Sequence, residues 1–193
     1  MTRCVGERHP LVAPDPDAQE IAEYTGWAVQ IIKQLGDALH VLHERGVVTG
    51  DLQPANVIVR PDGRIALVDL ELALPVDGDA RPALGAPGFS APPGCTGVAI
   101  DEHALANLAL WLFWPSAPVL CTRDPNKVEL FLTELTRRFG VTESFAADIR
   151  QGLHHKLLHA ADQAWTDHRR RPTSETPAGG TFQYGEVTHA AGR

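Results

Sequence analysis

Ile21, Tyr24, Ala28, Ile31, Ile32, Leu35, Leu39 and Leu42 recur at the three- and four-residue spacing that lines one face of an α-helix. Asp17 and Glu20 frame the start of this run as a capping box, and Glu44-Arg45-Gly46 closes it with a cation in the last turn and a glycine just beyond. The pattern predicts a helix from about Gln19 to Arg45. The period then changes: Val47-Val48, Val57-Ile58-Val59 and Ile65-Ala66-Leu67-Val68 are short β-branched runs, and Arg60-Pro61-Asp62-Gly63-Arg64 between the last two predicts a hairpin. Asp69 to Pro93 is rich in glycine and proline and has no strong period, so it is expected to be a long loop, a feature that is usually functional or disordered. Ile100 to Trp114 is apolar on nearly all sides, as a helix tolerates only when buried all round, and Pro115 stops it. Two amphipathic helices follow. Asp124-Pro125 opens the first, which carries Val128, Phe131, Leu132, Leu135 and Phe139; Phe145, Ile149, Leu153 and Leu157 mark the second. Pro10, Pro14 and Pro16 make residues 1–18 an extended lead-in rather than a structured element, residues 161–193 read as a flexible polar tail, and residues 19–160 form the one folded unit.

Composition narrows the partners. Seventeen basic against 24 acidic residues give a net charge of −7, which argues against a protein built to neutralise nucleic-acid phosphates or an anionic membrane. Ala104 to Trp114, the longest apolar stretch, is well short of the ~20 residues a spanning helix needs, and no apolar targeting region follows the first ten residues. A cytoplasmic protein is expected. Cys4, Cys95 and Cys121 are far apart, with neither a disulfide framework nor a zinc spacing.

Three separated groups carry chemistry together: Gly50-Asp51-Leu52-Gln53-Pro54-Ala55-Asn56, Asp69 at the end of the hairpin, and the Ala91-Pro92 turn before the buried helix. Phosphoryl transfer to a hydroxyl needs an aspartate beside the acceptor oxygen, and an amide oxygen and a second carboxylate for the magnesium ions that bridge the phosphates. Asp51, Asn56 and Asp69 supply that set. The gap from Asp51 to Asn56 lets one tight loop aim its first side chain at an acceptor and its last at a metal.

The segment LGDALHVLHERGVVTGDLQPANVIVRPDGRIALVDLELA, Leu35 to Ala73, resembles the catalytic and metal-binding loops of the protein-kinase large lobe. GDLQPANVIV and ALGAPGFSAPPGCTGVAIDEHALANLALWLF are more similar to the kinase domain of class III and class IV lanthipeptide synthetases, from about Arg8 to about Leu158. Those enzymes phosphorylate serine and threonine of a ribosomal precursor peptide, eliminate the phosphate and cyclise cysteine onto the dehydrated residue. The resemblance implies a mainly α fold with a small β-hairpin element, the protein-kinase-like C-terminal lobe, using ATP and Mg2+ on a precursor peptide. It also implies that Asp51 is the catalytic aspartate, that Asn56 and Asp69 are magnesium and nucleotide ligands, and that Asp101 anchors the catalytic loop from the buried helix.

Departures accompany the likeness. Thr49 stands where many kinases have histidine and Gln53 where they have lysine, Asp69-Leu70-Glu71 replaces Asp-Phe-Gly, and Ala91-Pro92-Pro93 lacks the glutamate of Ala-Pro-Glu. No G-x-G-x-x-G precedes Asp51, and Lys33, the only lysine upstream, lies on the polar side of the first helix. The N-terminal kinase lobe is therefore expected to come from elsewhere, as a separate small lobe or a synthetase chain. Two other readings remain open: a non-catalytic pseudokinase-like module that binds a peptide or partner, and a small-molecule phosphotransferase of the aminoglycoside or choline kinase type. The Gly85 to Pro93 turn favours protein kinases over the latter.

Overall fold

A computed structural model describes the backbone of Arg3–Cys4 together with residues 16–82 and 84–153. The expected polar tail and Leu157 lie outside the described residues. Helix α1 (Ala18–Glu44) begins at the predicted capping box: Asp17 accepts the amides of Gln19 and Glu20, both at 2.8 Å, and Glu20 reaches back to the Asp17 amide at 3.0 Å. Its apolar stripe buries Ala28, Ile31, Leu35 and Leu39 against α2 (Val98–Phe113). That second helix is buried at eleven of its sixteen positions, which explains its lack of a polar face.

Around α2 gather α3 (Ala117–Arg123), α4 (Lys127–Phe139) and α5 (residues 143–153). Phe113 lies edge-on to Phe139 at 4.8 Å between ring centroids, and Trp114 touches Phe131 and Phe139 at 5.4 and 5.3 Å. Fully burying Phe113, or leucines such as Leu108 and Leu110, contributes about 1.5–3 kcal/mol each. Close approach of α5 to α2 requires Gly152, because a Cβ there would sit 2.7 Å from the Ala106 Cβ and 2.9 Å from the Glu102 carbonyl oxygen. Asp124 contributes to the start of α4 less directly than expected: its carboxylate accepts the Asn126 amide at 3.2 Å, and Asn126 is the N-cap.

The β structure is small and packs against α1. Strands β3 (Val57–Val59) and β4 (Ile65–Leu67) form the predicted antiparallel hairpin, with Val57 opposite Leu67 and Val59 opposite Ile65. Gln34 on α1 clamps it: its amide nitrogen donates to the Gly63 carbonyl at 3.1 Å and its oxygen accepts the Ile65 amide at 3.2 Å.

Two strands correct the sequence reading. Arg3–Cys4, expected within an unstructured lead-in, forms β1 and pairs antiparallel with β3, because the outer edge of the hairpin offers unpaired backbone groups. Leu74–Pro75, expected inside a long loop, forms β5 against β2 (Val47–Val48). Among the described residues no helix is long and apolar enough to cross a membrane.

Candidate functional site

Helix α1 delivers the chain through β2 into Thr49-Gly50-Asp51, and a carboxylate of α2 fixes that delivery. Asp101 is wholly buried and takes four hydrogen bonds. One oxygen accepts the Thr49 amide at 2.8 Å and His43 Nε2 at 2.9 Å; the other accepts the Thr49 hydroxyl at 2.6 Å and the Gly50 amide at 3.1 Å. A buried carboxylate needs this saturation, since an unpaired one would be strongly penalised. Thr49 thus binds Asp101 through both backbone and side chain. Gly50 turns the loop at φ +76°, and a Cβ there would meet the Leu72 carbonyl oxygen at 2.3 Å. Only glycine lets the segment after the hairpin close onto this loop.

Asp51 emerges half-buried at the turn. Its Oδ2 accepts Gln53 Nε2 at 2.7 Å and Asn56 Nδ2 at 3.1 Å, while Asn56 Nδ2 also donates to the Asp51 carbonyl at 3.0 Å. Both neutral donors hold the same carboxylate oxygen, so Oδ1 is left to accept from outside the loop. Gln53, standing where a lysine is common, is one of those donors. The loop becomes a short 3-10 turn at Pro54–Asn56 and enters β3 directly, which buries Asn56 and fixes its direction.

Asp69 arrives by backbone pairing. Val68 donates its amide to the Asn56 carbonyl at 3.0 Å, so the next residue, Asp69, stands at the same end of the hairpin as Asn56. Its φ of +59° makes it the one non-glycine residue with positive φ among those described. Aspartate tolerates this conformation better than most residues, and such strain clusters at functional sites. The Asp69 carboxylate is exposed and has no hydrogen-bond partner among the described residues. Hence Asp51 and Asn56 meet through their side chains, Asp69 joins them through the hairpin backbone, and Asp101 supports the loop from the buried helix. Lys33 is exposed on α1, and Glu71 is exposed after Asp69. His43 was not singled out from sequence; a histidine in a helix's last turn, where it also favours the helix dipole, was its available signal.

Among the described residues, no three His, Cys, Asp or Glu side chains gather into a metal cage. The donors present suit a magnesium ion that arrives with phosphates: the Asn56 amide bonds only through Nδ2, leaving its Oδ1, and the Asp69 carboxylate is open. Magnesium characteristically takes one or two protein oxygens and completes its shell with phosphate and water.

A cavity of about 200 Å³ opens beside Asp51, lined by Gly50, Leu52, Arg81, Leu84, Phe89 and Ile100 among others. Its far wall is a closed turn, in which Phe89 and Ser90 donate their amides to the Ala86 carbonyl and Arg81 Nη2 donates to the Ala91 carbonyl at 2.7 Å. Burial pushes the nearby Cys95 thiol above its ordinary range, an effect the Arg81 charge partly offsets.

The chain is 40% identical over 138 residues to the probable SapB synthase of Streptomyces coelicolor, a match covering 72% of this chain and 15% of that protein. It is 37% identical over 62 residues to the serine/threonine-protein kinase ppk34 of Schizosaccharomyces pombe, covering 31% of this chain and 18% of the kinase. With the serine/threonine-protein kinase PknA of Mycobacterium tuberculosis it shares 34% over 50 residues, 26% of this chain and 12% of that one. The chain thus spans less than a fifth of the length of each of these relatives. No family profile matches it.

Proposed function

Because this chain is a protein-kinase-like large lobe related to the lanthipeptide synthetases, we propose that it is the acceptor-binding half of a serine/threonine phosphotransferase that acts on a precursor peptide with Mg-ATP. The observation that carries this reading is the bonding of the Asn56 amide to both the backbone and the carboxylate of Asp51. It makes the base and the candidate metal ligand one rigid unit.

In this reading Asp51 Oδ1 receives the proton of the acceptor hydroxyl as its oxygen bonds to the γ-phosphorus. The bond from that phosphorus to the bridging oxygen of ADP breaks, and ADP leaves with the electron pair. Gln53 and Asn56, by occupying Oδ2, keep the carboxylate from rotating away from the hydroxyl. Asn56 Oδ1 and the Asp69 carboxylate would hold magnesium, which when bound neutralises charge on the transferring phosphates. Gln53 brings no charge to those phosphates. Protein-kinase phosphoryl transfer also uses a glycine-rich loop and a phosphate-pairing lysine, the parts a small lobe contributes. The Gly85 to Pro93 turn, which resembles that of protein kinases, supports a peptide as acceptor over a compact antibiotic or choline.

The test is phosphate transfer from labelled ATP to a serine-containing precursor peptide, with the chain supplemented by a kinase small lobe. Asp51→Asn is expected to lower transfer at least about a hundredfold, the low end for removing a general base. Unchanged transfer would remove Asp51 from its assigned role. No transfer by any supplemented wild-type chain, with ATP still bound, would favour the non-catalytic module.

A further inference from the structure

The cavity beside Asp51 is too small for a nucleotide: ligand pockets run from about 300 Å³ upward, and this one holds about 200 Å³. Its size suits one or two side chains of a peptide. Its walls are apolar at Leu52, Phe89 and Ile100, and it has one charged group of each sign, Asp51 and Arg81. Neither is spent on the other: the Asp51 carboxylate is held by Gln53 and Asn56, and Arg81 makes no ion pair among the described residues. The bond from Arg81 Nη2 to the Ala91 carbonyl anchors the guanidinium to the turn and leaves its other N–H groups to bind a carboxylate or phosphate as a fork. Successive Cα atoms of a peptide are 3.8 Å apart, so where the peptide bends at an acceptor serine held by Asp51 the neighbouring side chain comes within reach of the same small cavity.

Resting on the kinase reading for the direction of the acceptor, we propose that Arg81 is a specificity-determining residue that selects peptides with an acidic side chain adjacent to the acceptor serine or threonine. The serine hydroxyl points to Asp51 Oδ1, and the neighbouring carboxylate lies against the Arg81 guanidinium. The apolar floor takes the methylene stem of the acidic residue. Such a preference is local, since the chain as a whole is acidic and would otherwise repel this substrate.

The experiment uses the full 193-residue chain, isotope-labelled, titrated with two synthetic ten-residue peptides and followed by two-dimensional NMR. Each peptide has one serine; glutamate flanks it in one and glutamine in the other. The glutamate peptide is expected to bind roughly three- to fivefold more tightly, the size of a partly exposed ion pair, and to shift the Arg81 Nε–H signal. Arg81→Gln is expected to abolish the preference while leaving affinity for the glutamine peptide unchanged, and Arg81→Lys to retain part of it. Equal binding of the two peptides by the native chain would overturn the proposal, as would a preference that survives Arg81→Gln. Loss of both peptides in Arg81→Gln would make Arg81 a strut of the turn and nothing more, and absence of binding by either to the native chain counts against it equally. Because the titration transfers no phosphate, discrimination between the peptides by a chain that never phosphorylates even when supplemented with a small lobe would sink the kinase reading and leave Arg81 as a selector of acidic peptides.

Discussion

Removing the Asp101 carboxylate should loosen the Thr49–Asp51 loop, and the donors around it set the size of the effect. Four hydrogen bonds end on it, two from Thr49, one from Gly50 and one from His43. In Asp101→Ala all four donors lose their acceptor. Gly50 and His43 are partly exposed and can turn to water, but the amide and hydroxyl of Thr49 are buried with 3% of the residue exposed. Two buried unsatisfied donors at about 1–3 kcal/mol each, less what relaxation recovers, give a loss of about 2–5 kcal/mol. Asp101→Asn is milder. Whichever way its amide is placed, the NH2 faces one backbone N–H, of Thr49 or Gly50, while the hydroxyl or the imidazole can switch roles. One mismatched donor costs about 1–3 kcal/mol. Urea unfolding followed by circular dichroism should give midpoints ordered native, Asn, Ala, with slopes unchanged. An Ala variant within about 1 kcal/mol of native would refute the claim that Asp101 holds the loop.

Two glycines on helices should respond with opposite signs. Nothing lies within 4 Å of a Cβ at Gly26, so Gly26→Ala should stabilise by about 0.5–1 kcal/mol, whereas Gly152→Ala drives α5 off α2 and should cost about 1–3 kcal/mol; paired thermal melts check both. Gly50→Ala meets positive φ and the Leu72 carbonyl together and should cost at least about 2 kcal/mol, read as a lower urea midpoint and as exposure of the 72–82 segment to protease. Burial raises the Tyr24 phenol well above its usual value, so the folded state keeps a proton that the unfolded chain releases near pH 10. Stability from this source is complete below pH 10 and declines as pH rises further; Tyr24→Phe, which also loses the bond to the Leu112 carbonyl, should flatten that decline in melts from pH 9 to 11.5.

The sequence made the long elements legible and left the short ones hidden. Helix α1 has seven turns of period and both caps, and α2 is unmistakable because only burial on all sides admits eleven consecutive residues from Ala104 to Trp114 with Asn107 as the sole polar side chain. The α3 helix has seven residues with Pro118 in its first turn, too short for a period to emerge. Strand β5 ends in proline, which counts against a strand except at an edge, and its pairing with β2 is fixed by the close approach at Gly50 rather than by its own two residues. Asp51, Asn56 and Asp69 were readable because one loop and one hairpin hold them. The roles of Gln53, Thr49 and His43 were not, since each depends on a hydrogen bond set by tertiary packing. Arg81 was hidden for the same reason: it comes to line one cavity with Asp51 only through tertiary folding.

In the proposed reading Asn56 and Asp69 hold a divalent cation next to Asp51. Paramagnetic manganese titrated with ATP into the isotope-labelled chain tests it directly, because broadening maps the ion to nearby amides. Broadening is expected to centre on residues 51–56 and 68–70, to vanish in Asp69→Ala and to weaken in Asn56→Ala. Broadening centred elsewhere, or unchanged in Asp69→Ala, would contradict it.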